Sequence, residues 1–288
     1  MKIAFLCNPA PPRLKKFPAL VQAVQKHVPA EREIFLVDRS VPRSLENHIE
    51  KILEGNFDRL AVAGGDGTLN RVINTLEGRR ALERLTLGVV PLGTCNDFAR
   101  YLGFRRGRLL KSLSALTKDR TRIIRVARVN NHFFINNAGF GKKNPSSPKR
   151  SNIRVIREMV PVDLKAQWSE GSLAGKFFMM LCANAPYFSG GLRFSRKSDP
   201  TDGILDFFFV KKMFKLNLAL RLFFGRARLP LQLTQVSRGF TKVSAAKLEL
   251  ETKEPISIAL DGDFKEDLTD IREATFEIAG ACRFVVPR

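Results

Sequence analysis

The sequence lacks several features that define other classes of protein. No hydrophobic run approaches the length needed to span a bilayer, and the first residues, 1–9, are too short for the core of a signal peptide. The four cysteines, Cys7, Cys95, Cys182 and Cys282, are far apart and form no C-x-x-C pair, which argues against a zinc site or a disulfide framework. No stretch matches the helix-turn-helix, RRM, KH or zinc-finger patterns of nucleic-acid-binding proteins. We therefore expect a cytoplasmic globular protein with no specific nucleic-acid partner.

Acidic residues are scarce relative to basic ones. The 49 Lys and Arg outnumber the 28 Asp and Glu, which gives a formal net charge of +21 and a pI near 10.4. Such an excess predicts attraction to a polyanion. Without a nucleic-acid motif, the partner we expect is an anionic membrane surface, where each Lys or Arg contributes about 1 kcal/mol. A basic surface that is merely solvated is the alternative. The basic residues cluster at 105–111, 118–128, 142–157 and 221–228.

The hydrophobic pattern changes near residue 124 and predicts two domains. Residues 1–123 alternate short apolar runs with amphipathic stretches, which is typical of an open parallel α/β sheet. Residues 124–288 contain many short β-type runs, with a hairpin signal at Asn130–Asn131, which favours an antiparallel, sandwich-like domain. The fold class we expect is therefore α/β plus β. The amphipathic segment 214–228 predicts a helix that either packs in the core or lies at a lipid interface.

The most informative pattern lies between residues 59 and 76. An apolar run leads into the sequence GGDGT, Gly64–Thr68, and an amphipathic stretch follows. A strand, a glycine turn and a helix N-terminus together suit a phosphate, because glycine lets the backbone approach closely and the first helical turn presents N–H groups. Asp66 makes sense there if a divalent cation bridges it to the phosphates, or if it orients or deprotonates an attacking hydroxyl. A tight turn capped by Asp66 or Thr68 is the alternative.

A second buried run, 85–93, also ends in a polar loop. Ligands of an open parallel sheet bind at the carboxyl ends of its strands, so we expect Thr94, Asn96 and Asp97 to lie beside the first glycine loop. Thr94 would then hydrogen-bond a nucleotide, and Asn96 and Asp97 would position Mg²⁺ or an acceptor hydroxyl. The alternative for Asp97 is that it caps the helix that follows.

Several motifs together resemble a known family. GGDGTLN (Gly64–Asn70) is similar to the nucleotide-binding signature of the diacylglycerol kinase catalytic domain, which sphingosine and ceramide kinases share. PLGTCNDFAR (Pro91–Arg100) narrows the resemblance to bacterial lipid kinases, because NAD kinases and phosphofructokinases do not carry it. The resemblance continues, in the family's order, through FINNAGFG (134–141), CANAPYFSGGLRF (182–194), DPTDGILD (199–206) and ALDGDF (259–264).

The resemblance implies ATP and Mg²⁺ as cofactors and assigns roles to individual residues. It implies a proton acceptor at Asp263 and a structural Mg²⁺ held by the Asp202 carboxylate with the carbonyls of Asp199 and Ile204. Asp261 and Asp66 are the other candidate catalytic residues. From the residues alone, a turn with acidic residues is the favoured explanation of both DPTDGILD and ALDGDF. The residues expected to contact nucleotide are Asn8, Gly64, Gly65, Asp66, Gly67, Thr68, Leu69, Asn70, Thr94, Asn96 and Asp97.

The first loop and the DGD motif depart from the family pattern. Ala10, Pro11 and Pro12 replace the glycines that usually follow N-P in the first loop, and Asp263 replaces a glutamate, which shortens the side chain by one methylene. We therefore predict an ATP- and Mg²⁺-dependent lipid kinase acting on diacylglycerol or a similar lipid, bound peripherally to the inner face of the membrane. The alternatives are a sphingosine, ceramide or phosphatidylglycerol kinase, or a catalytically silent relative that binds nucleotide and membrane. Assembly as a homodimer is left open.

Overall fold

The computed structural model describes residues 1–8, 17–38, 40–140, 160–188, 190–193, 195, 197–211 and 240–287. Contacts between residues divide the chain into two compact units, Met1–Arg125 with Gly280–Arg288, and Val126–Ala279. The sequence-based division at 123/124 placed the end of the chain in the second domain, whereas its contacts group it with the first unit. Among the sequence-based expectations, the helix at 214–228, the basic run from 142 and the altered loop at 10–12 lie outside the described residues.

The first unit alternates strands and helices, as its hydrophobic pattern predicts. Its sheet has the order β2-β1-β3-β4, and all of these neighbours are parallel. The bounds are β1 Lys2–Cys7, α1 Phe17–His27, β2 Glu31–Leu36, α2 Ser44–Glu54, β3 Arg59–Gly64, α3 Asp66–Glu77, β4 Thr86–Pro91, α4 Asp97–Tyr101 and α5 Leu109–Leu116. The expectation of an open parallel α/β sheet is confirmed.

A buried arginine anchors α5 to this sheet. Arg59 begins β3 and is only 6% exposed, because its guanidinium donates to the carbonyls of Leu116 (2.6 Å) and Lys118 (2.8 Å) and to Oδ1 of Asp119 (2.6 Å). Leu116 is the last residue of α5, so two of these bonds satisfy carbonyls at and just beyond a helix C-terminus. A buried cation with three acceptors costs little, whereas an unpaired one would be strongly destabilising.

The second unit consists of strands and one short 3₁₀ helix within the described residues. One antiparallel sheet has the order β14-β13-β10-β7-β16-β17, and a second set of antiparallel strands has the order β18-β15-β8-β9. The bounds are β5 Thr121–Val129, β6 His132–Phe134, β7 Asn137–Phe140, β8 Val162–Trp168, β9 Gly171–Phe177, β10 Met179–Ala183, β11 Tyr187–Phe188, β12 Leu192–Arg193, β13 Leu205–Val210, β14 Phe240–Ala245, β15 Lys247–Ile256, β16 Ala259–Leu260, β17 Asp263–Phe264, the 3₁₀ helix Glu266–Leu268 and β18 Ile271–Val285.

Phenylalanine side chains pack the two sets of strands together. The Phe207 ring on β13 meets the Phe276 ring on β18 edge to face, with centroids 5.7 Å apart, and Phe177 lies 5.4 Å from Phe209. All four are completely buried in one apolar core. The predicted hairpin is present: Val129 pairs with His132 across Asn130–Asn131, and Asn130 has a positive φ of 50°. The sandwich-like expectation is confirmed.

Across the described parts of the chain, no helix is both long enough and apolar enough to cross a membrane.

Candidate active site

The two glycine loops of the first unit meet through their backbones. A Cβ on Gly65 would lie 2.9 Å from the Gly93 Cα, and a Cβ on Gly93 would lie 2.3 Å from the Gly65 Cα. The N–H groups of Leu92 and Gly93 both donate to the Gly64 carbonyl, at 2.9 and 3.0 Å. Because any side chain at either glycine would separate the loops, the carboxyl ends of β3 and β4 require glycine at both positions. The loops lie together, as the parallel strand order predicts.

Asp66 fastens the second loop to the first. It is the first residue of α3, and its carboxylate oxygens accept from the backbone N–H groups of Asp97 (3.0 Å) and Phe98 (3.1 Å) at the start of α4. These N–H groups lie in the first helical turn, where a backbone has no intrahelical acceptor, so Asp66 satisfies them from another element. Asp66 therefore ties the start of α4 to the start of α3.

Asn96 and Asp97 complete the second loop. Asn96 has a positive φ of 52°, and its side-chain amide both accepts from the Gly93 N–H and donates to the Gly93 carbonyl, each at 2.8 Å. Asp97 is 5% exposed, and Arg100 donates to its Oδ1 at 3.1 Å. The sequence left open that Asp97 caps α4; Asp97 is the first residue of this helix, and the Asp66 carboxylate accepts its backbone N–H group and that of Phe98. Thr94 is exposed at the tip of the loop.

The remaining predicted nucleotide residues of this unit have structural partners. The Asn8 amide, at the end of β1, donates to the Thr68 hydroxyl at 3.1 Å, and both residues are buried. Leu69 is 1% exposed, so its side chain belongs to the core of the unit. Asn70 is also buried, and its carbonyl accepts from the Asn74 amide at 2.9 Å. Nucleotide contact by these residues stays a prediction, and for Leu69 it would have to involve the backbone.

The thiol of Cys95 lies close to the two carboxylates of the loop pair. Cys95 is half-buried between Thr94 and Asn96, and its pKa is raised above its ordinary value. Burial is the main cause, and the nearby carboxylates of Asp97 and Asp66 add to it because they disfavour a thiolate. The thiol is therefore protonated at neutral pH. Burial disfavours an ion of either sign, whereas the two carboxylates favour a cation, which agrees with the sequence-based expectation for Asp66.

The DGD motif of the second unit forms a tight hairpin turn. Leu260 pairs with Asp263 across Asp261 and Gly262, which have positive φ values of 48° and 95°. Two central residues with positive φ are typical of a type I′ turn, for which Asp-Gly is a favoured pair. The β-turn, which was the alternative interpretation of this motif, is therefore present. It places Asp263 at the start of β17, exposed to solvent.

The two carboxylates of this turn have different environments. Asp261 Oδ1 accepts from the N–H groups of Asn136 (2.8 Å) and Asn137 (3.0 Å), and Oδ2 accepts from that of Ile135 (3.1 Å). The Asp261 N–H also donates to the Asn137 carbonyl at 2.9 Å. By contrast, no described residue forms a hydrogen bond or an ion pair with the Asp263 carboxylate. Asp261 thus holds the turn on the 135–137 segment, and Asp263 is left available for chemistry.

The predicted cation loop is also built from acidic turns. Asp199 Oδ1 accepts from the Thr201 N–H (3.0 Å) and hydroxyl (2.9 Å), and Asp202 Oδ1 accepts from the Ile204 N–H (2.8 Å). The pKa of Asp202 is raised by burial and further by the charges of Asp199 and Asp206. No group of three His, Cys, Asp or Glu side chains within the described ranges could hold a metal. The predicted site instead combines the Asp202 carboxylate with the backbone carbonyls of Asp199 and Ile204, so a search for three side chains does not test it. That site stays a prediction.

Sequence reasoning missed a polar cluster beside this loop. Asp206 is 5% exposed and accepts from the hydroxyls of Ser198 and Ser244, each at 2.6 Å, and from Lys242 Nζ at 2.7 Å. Burial acts to raise its pKa, but the bonds from Lys242, Ser198 and Ser244 outweigh burial and lower it. A signal was present: Asp206 is the single charged residue in the strand LDFFFV, and a buried carboxylate requires partners.

Comparisons with known proteins agree with this architecture. Residues 2–129 match the family model described as the diacylglycerol kinase catalytic domain. A diacylglycerol kinase of Bacillus subtilis is 29% identical over 225 residues, which cover 72% of each chain. One of Staphylococcus epidermidis is 28% identical over 178 residues, 57% of this chain and 55% of that protein, so the match spans about half of the staphylococcal relative. A crystal structure of a Bacillus anthracis diacylglycerol kinase matches the fold, with a TM-score of 0.73, 21% identity, and coverage of 99% of this chain and 96% of that one.

These matches define the class of the protein first: it is an enzyme of the lipid kinase class. Within that class, residues 2–129 resemble the diacylglycerol kinase catalytic domain, and the chain is similar to bacterial diacylglycerol kinases. The resemblance inferred from GGDGTLN and PLGTCNDFAR is thereby confirmed.

Proposed function

We propose that the protein is an ATP- and Mg²⁺-dependent kinase that transfers the γ-phosphate to the hydroxyl of diacylglycerol or a similar lipid. The observation that carries the proposal is the pair of glycine loops closed by Asp66 at the carboxyl ends of β3 and β4. The names of the Bacillus and Staphylococcus relatives supply the substrate class. Bound ATP would supply the transferable phosphoryl group, and Mg²⁺ would neutralise the charge on its oxygens.

The loop pair has the chemistry that phosphates require. Gly65 and Gly67 are half-buried at the N-terminus of α3, so the first helical turn presents backbone N–H groups without a covering side chain at these two positions. Thr94 is exposed at the tip of the neighbouring loop and would donate its hydroxyl to the nucleotide. In this arrangement Asn8, Thr68 and Asn96 act on nucleotide mainly by fixing the loops. The Asn8 amide joins the end of β1 to α3 at Thr68, and the Asn96 amide closes the second loop on Gly93.

The acidic residues of the loop pair fit a hydrated divalent cation. Asp66 and Asp97 lie close enough to act together on the Cys95 thiol, and each is held by a defined partner. Mg²⁺ binds few carboxylates directly and keeps several of its waters. Asp66 and Asp97 would accept hydrogen bonds from such waters, because both are carboxylates of the same loop pair. The role of Asp66 is then to orient the cation rather than to remove the hydroxyl proton.

Asp263 is the proton acceptor in this proposal. A general base must reach the hydroxyl proton within about 2.6–3.2 Å, and it must be accessible to do so. Asp263 is exposed, whereas the carboxylate of Asp261 is bound by three backbone N–H groups. We therefore assign Asp263 as the catalytic residue and Asp261 as a positioning residue that fixes the turn. The loop 199–204 would stabilise this unit by binding a structural Mg²⁺ through Asp202 and the carbonyls of Asp199 and Ile204.

Association with an anionic membrane surface is supported by the net charge of +21. An enzyme that phosphorylates a bilayer lipid has to visit the bilayer, and the cations would increase the time that it spends there. Location at the inner face of the membrane, in the cytoplasm, and assembly as a homodimer stay predictions.

The deciding experiment is transfer of labelled γ-phosphate from ATP into lipids in mixed micelles that contain an anionic lipid. Diacylglycerol, ceramide, sphingosine and phosphatidylglycerol are compared, each with and without Mg²⁺. We expect Mg²⁺-dependent label in diacylglycerol. Label in another of the four lipids would show that the protein is a lipid kinase with a substrate other than diacylglycerol. Label in none of them, with ATP still bound, would identify a catalytically silent relative.

A further inference from the structure

The first unit contains an apolar cavity that the proposed phosphoryl transfer does not use. It has a volume of about 280 Å³ and lies between the carboxyl ends of β1 and β4, α1 and the start of α5. Cys7, Leu20, Val90 and Leu109 contribute to its walls, and Arg106 and Arg108 line it while being exposed to solvent. The cavity therefore has an apolar interior and a cationic rim.

Arg106 and Arg108, which form the rim, lie in a segment whose charged residues are all basic. Between Arg100 and Lys118 the sequence contains four basic residues and no acidic one. Other arginines of this unit are paired: Arg71 with Glu46, and Arg79 with Glu50. In contrast, the side chains of Arg106 and Arg108 have no hydrogen-bond or ion-pair partner among the described residues. Two neighbouring guanidinium groups without a carboxylate partner suit an external anion, and guanidinium binds phosphate well because it presents several N–H donors in a plane.

An exposed leucine lies beside the rim. Leu110, the second residue of α5, is 53% exposed, although most leucines of this unit are buried. Lys111 follows it and is also exposed and without a partner in the described part of the chain. An exposed apolar side chain among cations is typical of surfaces that insert into the headgroup region of an anionic bilayer.

We infer that the first unit carries a docking site for an anionic phospholipid of the membrane. Arg106 and Arg108 bind the lipid phosphate, and the cavity takes an apolar segment of the same lipid. A volume of about 280 Å³ is near the lower limit for ligand pockets, so it accommodates part of an acyl chain and not a whole lipid. This site goes beyond the general attraction of a basic protein, because it assigns the attraction to two residues and one cavity. It does not depend on which lipid is phosphorylated.

Vesicle binding with matched variants tests the rim. Arg106→Gln/Arg108→Gln and the control Lys26→Gln/Lys51→Gln each lower the formal net charge from +21 by two, and all four side chains are exposed. Sedimentation with phosphatidylcholine vesicles, with and without phosphatidylglycerol, measures the affinity of the full chain. Each cation at the surface contributes about 1 kcal/mol, so the arginine variant should bind the anionic vesicles roughly thirtyfold more weakly. The lysine variant should lose less than about threefold. Equal losses in the two variants would overturn the proposal, since net charge alone would then explain the binding.

A soluble probe tests the cavity. Decyl phosphate should bind the wild-type protein at least about tenfold more tightly than inorganic phosphate, because only the former has a chain to bury. Ala19, an exposed residue of α1 that lines the cavity, offers a filling variant, Ala19→Trp, which should remove this difference without disturbing the core. Equal binding of both phosphates, or an unaltered preference in the variant, would contradict the site.

Cys7 and Leu92 adjoin Asn8 and Gly93, so the alternative occupant of the cavity is the base of ATP. If ATP displaces decyl phosphate competitively, the cavity belongs to the nucleotide and the docking site is wrong. The docking site and the kinase activity are tested by separate measurements. Vesicle binding is measured without any turnover, and the arginine variant should keep wild-type phosphoryl transfer in neutral micelles.

Discussion

Two acidic glycine motifs, one in each unit, look alike in the sequence but differ in how the structure uses them. In GGDGT, Asp66 accepts two backbone N–H groups from the neighbouring loop, and in DGD, Asp261 accepts three from segment 135–137. Both carboxylates are therefore part of the framework of their loops. Asp263, two residues beyond Asp261, has no such bonds from the described residues and is exposed.

A carboxylate that holds a loop in place and a carboxylate that accepts a proton need different surroundings. A carboxylate bound by several backbone N–H groups is held rigidly, but its basicity is reduced because those bonds favour the charged form. A proton acceptor needs the opposite: access to the hydroxyl and lone pairs that are not already engaged. The framework carboxylates and the reactive carboxylate should therefore respond differently to the same substitution.

The largest effect is expected for Asp263→Asn. Loss of the general base should lower kcat about 10²- to 10⁴-fold, because the amide cannot take the hydroxyl proton. The melting temperature should not change, since Asp263 is exposed and its carboxylate has no bond to a described residue. Steady-state kinetics and a thermal melt measure both quantities. Glu266→Gln, an exposed carboxylate of the same unit, is the control and should keep full activity. Full turnover by Asp263→Asn would refute the assignment of the base.

Asp263→Glu sharpens this test. If the shorter side chain limits reach, the extra methylene should raise kcat or leave it unchanged. A loss comparable to that of the asparagine variant would mean that the backbone of this turn is fitted to aspartate.

A smaller loss of activity is expected for Asp66→Asn. The asparagine oxygen can still accept one of the two N–H groups of α4, but its amide cannot accept the other and carries no charge to orient a hydrated cation. Loss of such an outer partner typically costs about 10- to 100-fold in activity or metal affinity. We therefore expect a higher Mg²⁺ concentration for half-maximal rate together with a lower kcat.

Mg²⁺ titration of the kinase rate measures this change, and Glu77→Gln at the other end of α3 is the control. An unchanged Mg²⁺ requirement would restrict Asp66 to its structural role.

A still smaller effect on activity, but a clear one on stability, is expected for Asp261→Asn. The substitution keeps a residue type that tolerates the positive φ of 48° while removing the charge that accepts three N–H groups. Hydrogen bonds to charged groups are worth about 1.5–3 kcal/mol, so the melting temperature of this unit should fall by roughly 5 °C. The pH dependence of kcat, which reports the base, should not move. A shifted pH profile with an unchanged melt would instead make Asp261 the base.

The sequence predicted the two-unit α/β plus β architecture, because strand and helix periods and glycine loops are local signals. It also predicted that the two glycine loops lie side by side, since the carboxyl ends of neighbouring parallel strands share one edge. It could not show that Asp66 accepts the first N–H groups of α4, because that helix begins 31 residues away in the chain and only the folded loops reveal the bond. The bonds of Asp261 were equally hidden in the sequence, because its N–H donors lie 124 to 126 residues away. So were those of buried Arg59, which donates to the Leu116 carbonyl.

The smallest effect concerns the loop 199–204 and distinguishes two neighbouring carboxylates. Asp206 has a lowered pKa because Lys242 and two serines bind it, so it stabilises the fold above the unfolded pKa of aspartate, and this contribution is lost as the pH falls. Asp202 has a raised pKa, so its ionised form at neutral pH is disfavoured by the fold. In chelator, Asp202→Asn should therefore be neutral or slightly stabilising.

Addition of Mg²⁺ should raise the melting temperature of the wild type and not that of Asp202→Asn, because a cation that binds only the folded state stabilises it. Thermal melts with chelator and with Mg²⁺, at neutral pH, compare the two proteins directly. The chain with Asp58→Asn, an exposed carboxylate of the first unit, should keep the Mg²⁺-dependent rise. If the wild type melts at the same temperature in both buffers, no structural cation binds this loop, and the charges of Asp199 and Asp206 alone account for the raised pKa beyond what burial contributes.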